Sequence, residues 1–254
     1  MATLPERLQA GESAFATWMA IANNISAEMI GAGGYDCAVI DTQHGGPTWD
    51  SLGGLIQAMD LNRTPSLVRV GGVDQVQIMR ALDLGAAGVV VPMVSTVEQA
   101  QHAAEAMRYP PDGLRSFGKV RNYYGKEAVQ AQPLCFVMIE TAEGMQNLDA
   151  IAAVDGIDGL FVGPVDLGLG LGLGPVLEMH DEVLAAIGRI ALACRQHGRI
   201  SASASLGNDY TRALLELGVQ LVVQGSDLGF IRRGMAEDVK NFRALAANNS
   251  GDAQ

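Results

Sequence analysis

Four charged or polar residues of this chain close apolar runs, and their types together suggest chemistry. The run CAVIDT (37–42) leads into Asp41-Thr42-Gln43-His44-Gly45-Gly46, SLVRV (66–70) contains Arg69, CFVMIE (135–140) ends on Glu140, and GLFVGP (159–164) is followed by Val165 and Asp166. A charge at the end of a buried strand is costly unless it is paired or bound to a metal. One such residue is routine. Four at the same ends of separate strands form a constellation. Glu140 and Asp166 close consecutive runs, so they would be neighbours around one rim. Two adjacent carboxylates repel unless a cation or a shared proton intervenes. Oxygen ligands with room for water suit Mg²⁺, Mn²⁺ or a similar ion. The structural alternative is a pair of carboxylates capping helix N-termini. His44 is the candidate base, because its side chain titrates near neutrality; the alternative is a hydrogen-bonded structural histidine. Arg69 is a candidate electrophile or carboxylate clamp, with an ion pair to Asp41 as the alternative. His102, His180 and His197 fall on helical patterns and are expected at the surface.

These strand ends need a scaffold. Eight short apolar runs recur: AFATWMAI (14–21), CAVIDT (37–42), SLVRV (66–70), GVVVP (88–92), CFVMIE (135–140), GLFVGP (159–164), ISASA (200–204) and LVVQGS (221–226). Runs of this length fit strands buried on both faces, as in a parallel sheet. Amphipathic stretches lie between them, such as 74–84, 96–107 and 182–197, and Gly85 and Gly198 stand where helices should end. Eight β-then-α repeats in 254 residues predict an α/β fold with a single (β/α)8 TIM barrel spanning residues 1–254. A doubly wound open sheet is the alternative. The longest irregular stretch, 108–132, is expected to be a functional loop, and the tail 246–254 is expected to be frayed.

Composition excludes several roles. A formal net charge of −11 disfavours nucleic acid and anionic membrane as partners. No apolar run approaches the roughly 18 residues of a membrane span. The first residues, MATLPERLQAGES, show no basic stretch followed by an apolar one, so no signal peptide is expected and the expected location is cytoplasmic. Three cysteines, Cys37, Cys135 and Cys194, have long spacings that suggest neither disulfides nor zinc, and the first two lie in apolar runs. The alternating glycines of DLGLGLGLGP follow Asp166 and do not make a dinucleotide fingerprint. They are expected to form a flexible loop where backbone can approach a ligand.

Taken in order, Trp18, YDCAVIDTQHG, LVRV, LDLGAAGVVVP, RSFGKVRNYYG, FVMIETAEGMQNLDAI, GLFVGPVDL and LVVQGSDLGFIRRG resemble the HpcH/HpaI aldolase family over about residues 14–235. These are class II, metal-dependent pyruvate aldolases, such as 4-hydroxy-2-oxoheptanedioate and 2-keto-3-deoxy-rhamnonate aldolases. The resemblance implies a lyase that cleaves or forms 4-hydroxy-2-oxo acids, with pyruvate or hydroxypyruvate as donor and an aldehyde as acceptor. It implies a divalent ion (Mg²⁺, Mn²⁺ or Co²⁺) held by Glu140 and Asp166. Arg69 would stabilise the enolate, and His44 would be the acid/base with Asp83 as its orienting partner. Backbone at Gly163, Pro164 and Val165 would cradle the donor carboxylate, and Trp18 would border the pocket. Gln43 stands where several members carry Glu, and Met138 where several carry Gln, so both positions bear on specificity, as do the segments 168–175 and 115–124. The resemblance further implies a homohexamer, a trimer of dimers that exchange their last helix. A CoA-ester lyase of the citrate lyase β type would need extra basic residues for the CoA phosphates. A non-catalytic keto-acid binder would have lost a ligand or the base.

Overall fold

The computed structural model describes residues 3–118, 121 and 133–251. Eight parallel strands close in sequence order into one barrel: β1 (Ala14–Met19), β2 (Cys37–Asp41), β3 (Ser66–Arg69), β4 (Gly88–Val91), β5 (Leu134–Met138), β6 (Gly159–Val162), β7 (Ile200–Ser205) and β8 (Leu221–Ser226). The open-sheet alternative is excluded, and each expected run contains a strand.

Alternation sorts the side chains. Ala16, Val39, Leu67, Val90, Phe136, Phe161, Ala202 and Val223 fill the interior as one buried cluster. The strand residues between them pack outward against the helices, which explains why β2 and β5 are buried at every position. A first helix, α1 (Leu4–Gln9), closes the N-terminal mouth. Its Leu4 and Leu8 join the interior cluster, and Gln220 donates from Nε2 to the Leu8 carbonyl at 2.8 Å.

The remaining helices are α2 (Asn24–Gly31), α3 (Trp49–Asp60), α4 (Gln75–Asp83), α5 (Val97–Met107), α6 (Ala142–Gln146), α7 (Leu148–Ala152), α8 (Pro164–Gly170), α9 (Asp181–Gln196), α10 (Asn208–Glu216) and α11 (Asp227–Gly251). Asn23, Asp74, Thr96 and Thr141 cap helix starts with side-chain oxygens, satisfying amide groups that the helix leaves free. Gly85 (φ 100°) and Gly198 (φ 65°) follow the ends of α4 and α9 in left-handed conformations, as expected. No helix of the described residues is long and apolar enough to cross a membrane.

Two expectations need correction. The tail is helical as far as Gly251, while 252–254 lie outside the described residues. The glycine run is not one flexible loop, because Gly168 and Gly170 belong to α8. A Cβ at Gly170 would collide with the Glu140 carbonyl oxygen, and one at Gly168 would meet the Val176 side chain at 2.7 Å. The small residues let α8 lie against the end of β5, where Thr141 and Gly170 bridge. Only Gly172 and Gly174 turn with positive φ. The described residues 108–118 and 121 of the long connection after α5 lie toward the N-terminal end of the strands, where Arg115 and Arg121 pair with Asp83 and Asp60. Most of the connection's second half, residues 119–120 and 122–132, lies outside the described residues.

Candidate active site

Strand register creates the first half of the site. Asp41 and Arg69 are direct partners across β2 and β3, one step beyond the inward-facing Val39 and Leu67. Arg69 donates from Nε to Asp41 Oδ1 at 3.0 Å and from Nη2 to Oδ2 at 2.7 Å. The pair is largely dry, with side-chain exposures of 11% and 8%. The Arg69 guanidinium lies over the Trp18 ring at 4.5 Å, and Trp18 meets Phe161 edge-on at 5.8 Å. Held on two sides, Arg69 keeps Nη1 free of any partner among the described residues. Asp41 Oδ1 also accepts the backbone N–H groups of Gln43 (3.0 Å) and His44 (3.1 Å). Burial alone would raise the Asp41 pKa; the hydrogen bonds and charge of Arg69, with these two amides, hold it below the ordinary carboxylate range. Asp41 therefore both clamps the arginine and fixes the loop that carries His44.

Glu140 supplies the second half. It lies two residues past β5 and is 2% exposed. Oε2 accepts the backbone N–H of Met93 at 3.1 Å, while Oε1 is buried and has no hydrogen-bond partner among the described residues. A Cβ at Gly163 would collide with Oε1, so only glycine fits opposite it. Burial pushes the Glu140 carboxyl up to about 7, the Met93 amide counters this, the charge of Asp166 raises it further, and Arg69 lowers it. Asp166 lies in the first turn of α8, half-buried, and makes no hydrogen bond with a described residue.

An orphaned, buried carboxylate oxygen within the field of a second carboxylate is what a dication would satisfy, and the donor set fits a hard, oxygen-preferring ion. Among the described residues no group of three or more His, Cys, Asp or Glu could hold a metal. Two protein ligands would therefore leave the rest of the coordination shell to water and substrate.

The structure brings together Trp18, Arg69, Glu140, Gly163, Pro164, Val165 and Asp166. Gln43, half-buried, and His44, exposed, stand on the β2–α3 loop at the same rim. The His44 imidazole makes no hydrogen bond with a described residue. Asp83 is not brought to it. Asp83 is the last residue of α4, and helices of a βα unit run back to the strand starts, so it lies at the opposite end of the barrel. β2 has five residues, and at about 3.3 Å per residue the two ends are roughly 15 Å apart. The Asp83 carboxylate is instead taken by Arg115, whose Nη2 donates to Oδ1 at 2.8 Å. Arg115 and the rest of the expected specificity segment 115–124 that is described share that far end. His102, His180 and His197 are partly exposed, and none pairs with the polar strand ends among the described residues. All three cysteines are buried and unpaired.

Sequence reasoning missed the Met93 amide that holds Glu140. It also missed Asp227, which is 3% exposed and accepts the Ala20 and Ile21 amides at 3.0 and 2.9 Å. Asp227 directly follows β8, and a charge at that position was the available signal; the Met93 amide gives none.

A family model for HpcH/HpaI aldolase/citrate lyase matches residues 15–233. The chain belongs to this family. Its relatives include a hydroxypyruvate/pyruvate aldolase of Roseobacter denitrificans, 35% identical over 90% of this chain and 92% of the relative. A 5-keto-4-deoxy-D-glucarate aldolase of Klebsiella pneumoniae is 37% identical over 85% and 86%. Among solved structures, an HpcH/HpaI aldolase/citrate lyase family protein from Burkholderia cenocepacia superposes with a TM-score of 0.86 at 29% identity, covering 94% of this chain and 98% of that one. In this HpcH/HpaI barrel, Met138 points into the mouth. It is fully buried, and its Cε lies 3.3 Å from where a Gly163 Cβ would stand. The thioether makes the wall beside Glu140 apolar.

Proposed function

We propose that this protein is a divalent-metal-dependent aldolase. It would form and cleave 4-hydroxy-2-oxo acids, with pyruvate or hydroxypyruvate as enolate donor and an aldehyde as acceptor. The observation that carries the reading is the Glu140 oxygen, buried without a hydrogen-bond partner among the described residues and close enough to Asp166 to feel its charge, in the same mouth as an Arg69 Nη1 that no described residue occupies. The aldolase names of the relatives support the same reaction class.

Glu140 and Asp166 would hold Mg²⁺, Mn²⁺ or Co²⁺, which, when bound, would grip the carboxylate and keto oxygens of the donor and acidify its methyl group. Arg69 donates from Nη1 to the keto oxygen and stabilises the negative charge that grows there. Trp18 and Met138 keep water from the enolate. The turn Gly163–Val165 lies beside the donor carboxylate. In cleavage, His44 takes the proton of the 4-hydroxyl, the C3–C4 bond breaks, the aldehyde leaves, and the electron pair passes to the keto oxygen as the enolate forms. The enolate then takes a proton at carbon. Condensation reverses these steps.

His44 needs a partner to orient it, and Asp83 of the same chain is at the other end of the barrel. A His44–Asp83 pair would form only between two copies. Helix α11 supports self-association. Leu228, Ile231, Met235, Val239, Phe242 and Leu245 make one apolar stripe along it and are 48–71% exposed. A homohexamer built on dimers that share this helix is the assembly we propose.

The test of the reading is hydrogen–deuterium exchange at the pyruvate methyl group, with and without a chelator. Exchange that stops on chelation and returns with Mg²⁺, Mn²⁺ or Co²⁺ is expected. Exchange that survives exhaustive chelation would overturn the metal assignment, and no exchange under any condition would overturn the enolate chemistry.

A further inference from the structure

Met93 has φ 58°, a left-handed backbone that penalises any residue with a Cβ and that glycine adopts freely. It follows β4 through Pro92. The β4–β5 pairing runs up to Val91 opposite Val137, and Val94 donates again to the Met138 carbonyl at 3.1 Å. Met93 therefore sits in a kink between two regular contacts with the same strand. The kink turns one amide away from the ladder, and that amide donates to Glu140 Oε2 at 3.1 Å. It is the one hydrogen bond that this carboxylate receives among the described residues.

The far side of the kink is fastened to the loop that carries Glu140. The Ser95 and Thr141 hydroxyls lie 2.6 Å apart, and Asn147 donates from Nδ2 to the Ser95 carbonyl at 2.8 Å. Thr141 is next to Glu140 and also caps α6. The strained residue, the carboxylate and the fastening form one unit.

We propose that Met93 is a positioning residue: its kinked amide holds one oxygen of Glu140 so that the other alone is presented toward Asp166 and a bound dication. The inference rests on the metal reading above. With one oxygen occupied, the carboxylate binds as a single-oxygen ligand in a fixed direction. Without the amide it is free to rotate or to chelate through both oxygens. Groups that orient a ligand in this way typically change metal affinity 10–100-fold when removed.

The experiment is Mn²⁺ titration of the full-length protein, followed by electron paramagnetic resonance, beside thermal unfolding of each variant. Met93→Gly keeps the amide and accepts the positive φ, so it should bind Mn²⁺ within about 2-fold of wild type. Met93→Pro removes the N–H and cannot adopt the positive φ, so it should bind 10–100-fold more weakly. Ser95→Ala unfastens the kink and should weaken binding several-fold in a folded protein. Wild-type affinity in a folded Met93→Pro variant overturns the proposal. If that variant does not fold, wild-type affinity in Ser95→Ala overturns it. Wild-type protein that binds no Mn²⁺ overturns the metal reading and this inference together, which separates the two failures.

Discussion

A carboxylate held at about 7 is a destabilising residue at neutral pH, and Glu140→Gln should expose the cost. Its ordinary value is 4.5. Each unit is worth about 1.4 kcal/mol, so the shift corresponds to roughly 3 kcal/mol. The sign follows from the direction. An acid whose folded pKa is raised is penalised only when charged. The penalty is therefore absent below the unfolded pKa, grows as pH rises, and is complete above about 7. Gln keeps the acceptor for the Met93 amide and removes the charge, although its own amide group is left without a partner, which costs about 1 kcal/mol. The metal-free variant should be more stable than metal-free wild type by roughly 2 kcal/mol at pH 8, with little or no advantage at pH 5. Denaturant titration with a chelator present measures this. Adding Mn²⁺ at about 100 times its dissociation constant should then stabilise wild type by roughly 2.7 kcal/mol and leave the variant unchanged. The variant should have no aldolase activity. If Glu140→Gln is less stable than wild type at pH 8, or its advantage is the same at both pH values, Glu140 is not a desolvated carboxylate awaiting a cation.

Arg69→Ala leaves Asp41 buried and unpaired, so it should cost about 3–5 kcal/mol of stability and abolish methyl-proton exchange; exchange at the normal rate would remove Arg69 from the enolate. Gly163→Ala places a Cβ against Glu140 Oε1 and should eliminate Mn²⁺ binding while the barrel still folds, as circular dichroism would report. His44→Ala and Asp83→Asn should each lower the cleavage rate by about 10²–10⁴ without changing Mn²⁺ affinity. If the pair forms between copies, co-refolding the two inactive variants should regain part of the activity, because some interfaces then carry both native residues. No regain in verified mixed oligomers would show that the two residues do not pair across subunits.

Most of the barrel was legible because parallel strands buried on both faces must be short apolar runs, and these recur with helical patterns between them. The charged positions of the candidate site were legible for a related reason. Glu140, Asp166, Arg69 and Asp41 are charges where burial makes charge expensive, so their placement demands an explanation. The Met93 contact was not legible. It is made by a backbone amide, and its presentation depends on a single φ that no residue type signals when the residue is not glycine. The glycine run was misread for the opposite reason: glycine serves both turns and close packing, and only the backbone of Glu140 and Thr141 beside α8 decides between them.

Asp83 and the segment 115–124 show what chain order adds to residue type. Both had the composition of site residues, and both follow or end helices. In a βα repeat every segment after a strand opens on one face and every segment after a helix on the other. That rule, applied to α4 and α5, places Asp83 and Arg115 together at the far face, where their ion pair is found at 2.8 Å. The far face therefore carries a half-buried acid beside a long connection, while the near face carries an exposed histidine with no hydrogen-bond partner among the described residues. Each face lacks what the other has. A barrel cannot bend one face onto the other, so the proposed His44–Asp83 pair would need a second barrel set face to rim against the first. The exposed apolar stripe of α11 would be the surface on which copies meet, and the proton transfer proposed for His44 would then depend on assembly.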